Sequence, residues 1–204
     1  MPSLVHGEQS AATIDNPCPI YDHVHNRTVL LFMRDMHSMW LTSSSTDGAS
    51  WTTPRNITSM TMKDPRLPGN KIWTRVYSGP PGGIMTRSGR MLCPCHHAAA
   101  NNAGQGGTDV SFSVYSDDFG ESWKIGADNT APGLSGENQL VELDVSSGGG
   151  GGGGDLLSYI RVNNDWNSKI TIFDNRTHLA STRLFTRSTD GGEALFALLC
   201  LVFK

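Results

Sequence analysis

The stretch Ser116-Asp-Asp-Phe-Gly-Glu-Ser-Trp123 decides the fold of this 204-residue chain. Within it, the Asp118 carboxylate can accept backbone N–H bonds across a tight turn, and Gly120 can adopt a positive φ without steric cost. Trp123 supplies a large apolar anchor where the next strand begins. The preceding residues Val110–Tyr115 alternate apolar and polar side chains, as a half-buried strand does. The stretch therefore predicts a tight turn between two antiparallel strands.

Two further copies of this pattern occur in the chain. In Ser44-Ser-Thr-Asp-Gly-Ala-Ser-Trp51, Thr46 stands at the position that Asp118 holds in the intact copy. A third copy begins at Ser188 but lacks the closing Ser-Trp pair. The tryptophans of the first two copies are 72 residues apart, and so are the opening serines of the last two. This recurrence of a turn motif between short strands favours an all-β propeller over a sandwich.

The composition agrees with a globular protein that has many turns. The chain contains 37% apolar and 17% charged residues, together with 23 glycines and 10 prolines. Its net charge of −3 provides no basic surface for nucleic acid, so we expect no nucleic-acid partner, and no obligate protein partner is evident. Residues 1–12 lack the basic start and apolar stretch of a signal peptide. Four scattered cysteines favour an intracellular chain with reduced thiols, in the cytoplasm or the lysosome.

Four segments are expected along the chain. Residues 1–13 have no periodicity and are predicted to be a disordered lead-in, whereas residues 14–193 carry the predicted strands. Seven consecutive glycines at 148–154 predict a flexible insertion in a hairpin loop. The apolar tail 194–204 is either a buried strand or, as we prefer, a point where the gene model departs from the pattern. The strongest strand predictions are Thr28–Met33, Met39–Thr42, Met91–Cys95, Gln139–Leu143 and Asp155–Arg161.

The pattern Ser-x-Asp-x-Gly-x-Ser-Trp resembles the Asp box, or BNR repeat, of the sialidase (neuraminidase) superfamily. Other motifs occur in the order that exo-sialidases have: Asn16-Pro-Cys-Pro-Ile-Tyr-Asp22, Gly79-Pro-Pro-Gly-Gly-Ile84, Gly136-Glu-Asn-Gln-Leu-Val-Glu-Leu143 and Leu156-Leu-Ser-Tyr-Ile-Arg161. The resemblance implies part of a six-bladed β-propeller, with about three to four blades present. It also implies an exo-α-sialidase that releases terminal sialic acids from sialylated glycoproteins, glycolipids or oligosaccharides. Such enzymes need no metal or cofactor, and some members of the family associate with membranes.

The catalytic set that the resemblance implies follows from the substrate. Planar guanidinium groups of an arginine triad bind the sialic acid carboxylate in bidentate fashion. The nucleophile is a tyrosine activated by a glutamate, because a carboxylate nucleophile would be repelled by the substrate, and an aspartate acts as acid and base. Glu137 falls where the family keeps the activating glutamate, and Arg161 falls at the second arginine of the triad. Glu142, farther along the same predicted strand, is interpreted as structural.

Several other residues have both a structural and a functional interpretation. Trp73 and Tyr77 flank a loop where some relatives contact the sugar, although core packing is the commoner role of such aromatics. Cys93-Pro-Cys-His-His97 could be drawn as a metal cluster, but its ligands are too close together, so we predict a strand end and no metal. The Asp-box residues themselves are predicted to be structural rather than catalytic: Ser116, Asp118, Gly120, Ser122 and Trp123.

The chain also departs from the family pattern. The first arginine of the triad, in an Arg-Ile-Pro motif, and the acid/base aspartate are expected before the first Asp box, and no Arg-Ile-Pro occurs here. The third arginine and the tyrosine nucleophile are expected after the third box. We therefore expect a truncated fragment that lacks four of the six catalytic groups of the family. The alternatives are a non-catalytic propeller module that binds glycans or proteins, and an unfolded product of a truncated gene model.

Overall fold

The structure is a computed structural model that describes residues 13–63, 73–79, 82–99, 109–126, 128, 135–143, 156–162, 183–188 and 196–201. In these residues the chain forms three antiparallel sheets and one short helix. The first sheet, blade 1, contains β1 (Ile14–Asp22), β2 (Arg27–Arg34), β3 (Ser38–Ser44) and β4 (Arg55–Asn56) in sequential order, followed by helix α1 (Thr58–Thr61). No helix among the described residues is long and apolar enough to cross a membrane.

The next two sheets repeat this arrangement. Blade 2 contains β5 (Trp73–Ser78), β6 (Ile84–Met85), β7 (Met91–Ala99), β8 (Asp109–Ser116) and β9 (Lys124–Ile125); its order is β5-β7-β8-β9, and the short β6 also pairs with β7. Blade 3 contains β10 (Ser135–Glu142), β11 (Leu156–Val162), β12 (Arg183–Ser188) and β13 (Phe196–Leu201), again in sequential order. Sheets of four consecutive antiparallel strands are the repeating unit of a β-propeller, which confirms the predicted architecture.

The predicted strands are present, with some differences in length. The run predicted at Met91–Cys95 extends to Ala99, so the Cys and His residues lie inside β7 rather than at its end. The strand predicted to begin at Gln139 begins four residues earlier, at Ser135. The apolar tail contributes β13, which pairs with β12 as the fourth strand of its sheet. Residues 1–12 and the glycine run 148–154 lie outside the described residues.

The two copies of the turn motif that the structure describes each connect the third and fourth strands in the order of their blade. In the intact copy the Ser122 N–H donates to Asp118 Oδ1 (2.8 Å), the Gly120 N–H donates to Ser116 Oγ (2.8 Å), and φ of Gly120 is +91°. The Trp123 indole N–H donates to the Gly120 carbonyl (3.1 Å), and its side chain is almost fully buried. These bonds hold the chain in a closed turn with the indole packed beneath it.

The first copy forms the same turn although it lacks the aspartate. The Ser50 N–H donates to Thr46 Oγ1 (2.8 Å), as the Ser122 N–H does to Asp118 in the intact copy. The Trp51 indole N–H donates to the Gly48 carbonyl (3.1 Å), and φ of Gly48 is +85°. A threonine hydroxyl therefore takes over the acceptor role of the carboxylate, and the motif is intact in geometry where it is degraded in sequence.

Blade 2 lies between the other two blades, and its faces carry different cores. The face towards blade 1 belongs to a large cluster of buried side chains from both blades, including Leu31 and Met33 of β2 and Phe112 and Val114 of β8. The face towards blade 3 belongs to a smaller cluster that comprises Leu92, Tyr115, Leu140 and Leu156. Alternating residues of β8 thus pack in opposite directions, as the period of a strand requires.

Close backbone contact joins blade 1 to blade 2 along β1. The Gly83 N–H donates to the Pro19 carbonyl (3.0 Å), and a Cβ at Gly83 would lie 2.3 Å from the Leu92 carbonyl oxygen and 2.6 Å from Ile20 Cγ1. No side chain fits in that space. Glycine at this position therefore allows β1 to lie directly against blade 2, so Gly83 serves packing between the blades.

Two arginines of blade 1 also donate hydrogen bonds to backbone carbonyls of the intact Asp-box turn. Arg27 Nη2 donates to the Phe119 carbonyl (2.8 Å), while the Arg55 guanidinium donates to the carbonyls of Gly120 and Glu121. Arg27 is itself held by the Asp22 carboxylate through a 2.9 Å contact from its Nε. The turn therefore belongs to the interface between the blades as well as to the rim of blade 2.

Candidate active site

Glu137 and Arg161 occupy facing backbone positions on β10 and β11. The pairs Ser135↔Val162 and Asn138↔Ile160 bracket an irregularity in the register. Two residues, Gly136 and Glu137, lie between these pairs on β10, while Arg161 alone lies between them on β11. This count is that of a β-bulge, a feature that re-aims side chains and is frequent beside active sites. The two residues predicted from separate motifs are thus brought together.

The residues on both sides of Glu137 are fastened to blade 2. Ser111 Oγ on β8 donates to the Gly136 carbonyl (2.6 Å), and the Asn138 side-chain amide donates to the Cys95 carbonyl on β7 (2.8 Å). Ser111 and Asn138 are both almost fully buried, whereas Glu137 between them is partly exposed. Buried hydrogen bonds of this kind hold a unique backbone position, because leaving a partner unsatisfied is costly. The structure therefore presents the Glu137 carboxylate from a fixed segment.

Tyr77 lies on the face of blade 2 that meets β10. Its ring stacks on the His96 imidazole with centroids 4.7 Å apart, and His96 is paired with Ser111, the residue that bonds to Gly136. The Tyr77 side chain is half-buried, and its hydroxyl contacts the Met36 sulfur at 3.4 Å. Tyr77, His96 and Ser111 are thus cross-strand neighbours in one row of blade 2, and Ser111 at the end of this row bonds to the bulge.

Trp73 is placed differently. Its indole stacks on His97 (4.0 Å between centroids) and packs against Phe112 (4.9 Å), within the cluster shared by blades 1 and 2. Only 8% of the residue is exposed. This environment fits the core-packing alternative. The stacked His97 ring also contacts Asp128 Oδ1 (3.2 Å); burial alone would raise the pKa of Asp128, but this contact and the charge of Lys63 lower it.

Glu142 and the Asp box lie at the other end of β10 from Glu137. The Arg87 N–H, in the turn before β7, donates to Glu142 Oε2 (3.0 Å). Arg90, close to the same turn, contacts the Asp117 carboxylate at 2.6 Å, next to the intact box. Glu142 therefore caps a turn at the Asp-box end of the blade, which agrees with its structural interpretation. The Asp box is separated from Glu137 by the length of the strand.

The cysteines and histidines of β7 do not converge on one point. Cys93, Cys95 and His97 alternate along the strand with His96, which stacks on Tyr77 on the other side. Within the described part of the chain, no three side chains of His, Cys, Asp or Glu are arranged to hold a metal ion.

Two supporting residues, Ser111 and Asn138, were not found by sequence reasoning. A signal for Asn138 exists, because it falls at an inward-facing position between Gly136 and Leu140, and a buried amide requires a partner. It was missed because the strand was predicted to start at Gln139. Ser111 gave no signal, since a small polar residue in an alternating strand is equally compatible with the solvent face.

Comparison with known proteins gives a consistent picture. The family model of the BNR repeat-like domain matches residues 3–197. Human Sialidase-4 is 28% identical over 152 residues, which are 63% of this chain and 30% of that protein. Mouse Sialidase-3 is 24% identical over 154 residues, covering 65% of this chain and 35% of its own length.

Solved sialidase structures share the fold. The Hadza microbial sialidase Hz136 superposes with a TM-score of 0.64 at 20% identity, over 92% of this chain and 34% of its own. The Trypanosoma rangeli sialidase in complex with sialic acid gives a TM-score of 0.59 at 17% identity, over 93% of this chain and 28% of its own. The chain spans about a third of the length of the curated relatives it matches.

Proposed function

The chain belongs to the BNR repeat-like domain family within the sialidase superfamily, and from this membership we propose that it is part of an exo-α-sialidase. Such a retaining glycoside hydrolase releases terminal sialic acids from glycoproteins, glycolipids or oligosaccharides. The observation that carries the proposal is the bulge at which Glu137 and Arg161 occupy facing positions of β10 and β11. Two residues predicted from separate motifs of the same resemblance thus occupy facing backbone positions on neighbouring strands.

The proposed roles follow from charge and geometry. Arg161 binds the substrate carboxylate, because a guanidinium matches a carboxylate with two parallel hydrogen bonds. Glu137 accepts the proton of a tyrosine nucleophile, for which the resemblance matches no residue of this chain. The backbone of Glu137 is held in place by the hydrogen bonds of its two neighbours, which supports this role. A general base must lie within hydrogen-bonding reach of its partner. Tyr77 contributes a flat surface for the sugar.

A fluorogenic sialoside assay tests the proposal on two proteins: the 204-residue chain and a version extended with the flanking sialidase motifs. We expect hydrolysis by the extended version. In that background, Glu137→Gln lowers kcat at least about 100-fold, as loss of a general base does. Arg161→Ala mainly raises KM, because it removes recognition of the carboxylate. Glu142→Gln is the matched control on the same strand and leaves both constants unchanged, since its side chain binds the Arg87 N–H instead.

Two results together would contradict the sialidase assignment. One is an extended protein that folds cooperatively yet cleaves no sialoside. The other is binding of sialyllactose that is equally strong in the parent and in Glu137→Gln.

A non-catalytic glycan-binding module is the second candidate. The observation in its favour is that only two residues of this chain, Glu137 and Arg161, match the six catalytic groups of the family pattern. Calorimetry with sialyllactose separates the two candidates. Binding that survives Arg161→Ala favours the module, because a sialidase-type site loses carboxylate recognition without that guanidinium.

A further inference from the structure

Three buried thiols meet between blades 1 and 2. Cys18 on β1 and Cys93 and Cys95 on β7 are all free and all fully buried. The sulfur atoms of Cys18 and Cys93 are 2.9 Å apart, and those of Cys93 and Cys95 are 3.8 Å apart. Cys18 and Cys93 are 75 residues apart in the sequence and belong to different blades. Of these three cysteines, Cys18 and Cys93 are the closest sulfur pair, and they face each other across an interface.

The close approach is built into the backbone around them. The Gly79 N–H donates to the Pro94 carbonyl (2.7 Å), which fixes this glycine beside β7. A Cβ at Gly79 would lie 3.2 Å from the Pro17 carbonyl oxygen and 3.6 Å from Cys18 Cβ. Pro17, next to Cys18, and Pro94, next to Cys93, both lie close to Gly79, so the backbone brings the two cysteines together.

The chemistry of the three thiols differs. Burial raises the pKa of Cys18 and that of Cys95. Burial also acts to raise the pKa of Cys93, but hydrogen bonding from Cys18, from Cys95 and from the Gly79 N–H outweighs it and lowers that pKa. Cys93 is therefore the thiol that most readily becomes a thiolate, the nucleophilic form in disulfide exchange.

Cys95 is a poor competitor for Cys93. Two residues separated by one position on a strand have Cα atoms about 6.7 Å apart, at the upper end of the range that a disulfide accepts. Cys18 has no such constraint, because it approaches from another strand. The favoured partner of Cys93 is therefore Cys18.

We propose that Cys18 and Cys93 form a disulfide that ties β1 to β7 when the chain folds in the presence of a small-molecule disulfide such as oxidised glutathione. The Cys93 thiolate attacks one glutathione sulfur, so that the glutathione S–S bond breaks and one glutathione thiolate leaves. The Cys18 thiolate then attacks the Cys93 sulfur of the mixed disulfide and displaces the second glutathione. Two protein thiols are oxidised, oxidised glutathione is reduced to two thiols, and the two protons pass to them. The thiols are fully buried in the finished fold, so exchange takes place as β1 docks against β7, when the contacts that lower the Cys93 pKa have formed but the oxidant can still reach the sulfurs.

The disulfide would have a measurable effect on stability. It closes a long loop and so reduces the conformational entropy of the unfolded chain. A disulfide has a typical stabilisation free energy, and Tm rises by a typical amount per unit of that free energy in a chain of this length. Together these two quantities predict a Tm that is about 5 to 15 °C higher than that of the reduced protein.

The experiment is to refold the 204-residue chain from denaturant with a mixture of oxidised and reduced glutathione, or with a phosphine reductant. Alkylation under denaturing conditions and tryptic digestion then follow without reduction. We expect peptide 1–27, which contains Cys18, to be linked to peptide 91–124, which contains Cys93 and Cys95. The link and the rise in Tm persist in Cys95→Ser and disappear in Cys93→Ser and Cys18→Ser.

Mapping of the unmutated chain decides the question even where a serine variant fails to fold. The proposal would be overturned if the chain refolded in the glutathione mixture and all four of its cysteines were still alkylated. So would a link between the same two peptides that survives in Cys93→Ser, because Cys95 would then be the partner. Neither result depends on sialoside hydrolysis, so the proposed function stands or falls separately.

Discussion

At the scale of single residues, the two Asp boxes show that the identity of the acceptor matters less than its position. Thr46 Oγ1 receives the Ser50 N–H at 2.8 Å, the same distance at which Asp118 Oδ1 receives the Ser122 N–H. We predict that Thr46→Ala destabilises the chain by about 1 kcal/mol, because the Ser50 N–H loses its partner. Thr46→Ser is the control and retains most of the stability. Urea unfolding measures both; equal stability of the alanine and serine variants would refute the equivalence of the two turns.

Asp22 offers a residue-scale test that depends on pH. Burial alone would raise the pKa of Asp22, but hydrogen bonds from Arg27 and from the backbone and ring of His25 lower it. A carboxylate whose pKa is lower in the folded than in the unfolded chain stabilises the fold. This stabilisation is fully present when the pH is above the pKa of the unfolded chain, near 3.9, and is lost as the pH falls through the lower pKa of the folded chain. Asp22→Asn should therefore cost about 1 to 3 kcal/mol at neutral pH.

The cost of Asp22→Asn should shrink below pH 4, roughly, because the parent then loses the same interaction by protonation. Unfolding curves at several pH values measure this. Asp47→Asn is the matched control: Asp47 is exposed and lies at φ +50°, a conformation that asparagine tolerates. A difference between parent and Asp22→Asn that stayed constant from pH 7 to the acid limit of folding would contradict the linkage.

At the scale of strands and turns, the parts predicted well are those with strong local signals. The apolar run of β2 and the turn at Asp118 follow from periodicity and turn chemistry alone. The start of β10 does not, because Gly136, Glu137 and Asn138 are poor strand formers by themselves. They are extended because Ser111 and Cys95 of blade 2 bind them, and such contacts are invisible to local reasoning. The same contacts flank the bulge at which Glu137 and Arg161 occupy facing backbone positions.

The Gly79–Ile84 motif gives a prediction about how elements meet. Gly83→Ala places a Cβ against the Leu92 carbonyl and the Ile20 side chain, at distances where atoms cannot coexist. We expect a loss of about 3 kcal/mol, at the upper end of overpacking effects. Gly82→Ala is the control, since its nearest neighbour is the Pro19 carbonyl at 3.3 Å, and it should cost less than about 1 kcal/mol. Equal losses in the two variants by urea unfolding would argue against the close approach of β1.

At the scale of the whole molecule, blade 2 acts as the common support of its neighbours. Its β7 and β8 strands send alternate side chains into the cluster with blade 1 and the cluster with blade 3. The thiol pair lies on the blade 1 side, whereas the anchors of Glu137 lie on the blade 3 side. Because blade 2 contacts its two neighbours through opposite faces of one sheet, side chains at the interface with blade 1 can change without touching the residues that anchor Glu137 at the interface with blade 3.

Ser111 and Ser113 make the last prediction, because both lie on β8 and both are 1% exposed. Ser111 Oγ donates to the Gly136 carbonyl of blade 3 at 2.6 Å, whereas Ser113 Oγ has no hydrogen-bond partner within the described part of the chain. Ser111→Ala should cost about 1 to 2 kcal/mol, since it leaves a buried carbonyl unsatisfied, while Ser113→Ala should be neutral or slightly stabilising because it removes a buried polar group. Urea unfolding gives both values, and amide exchange at Glu137 should accelerate only in Ser111→Ala. If Ser113→Ala proved the more damaging change, the docking of β10 on blade 2 through Ser111 would be wrong.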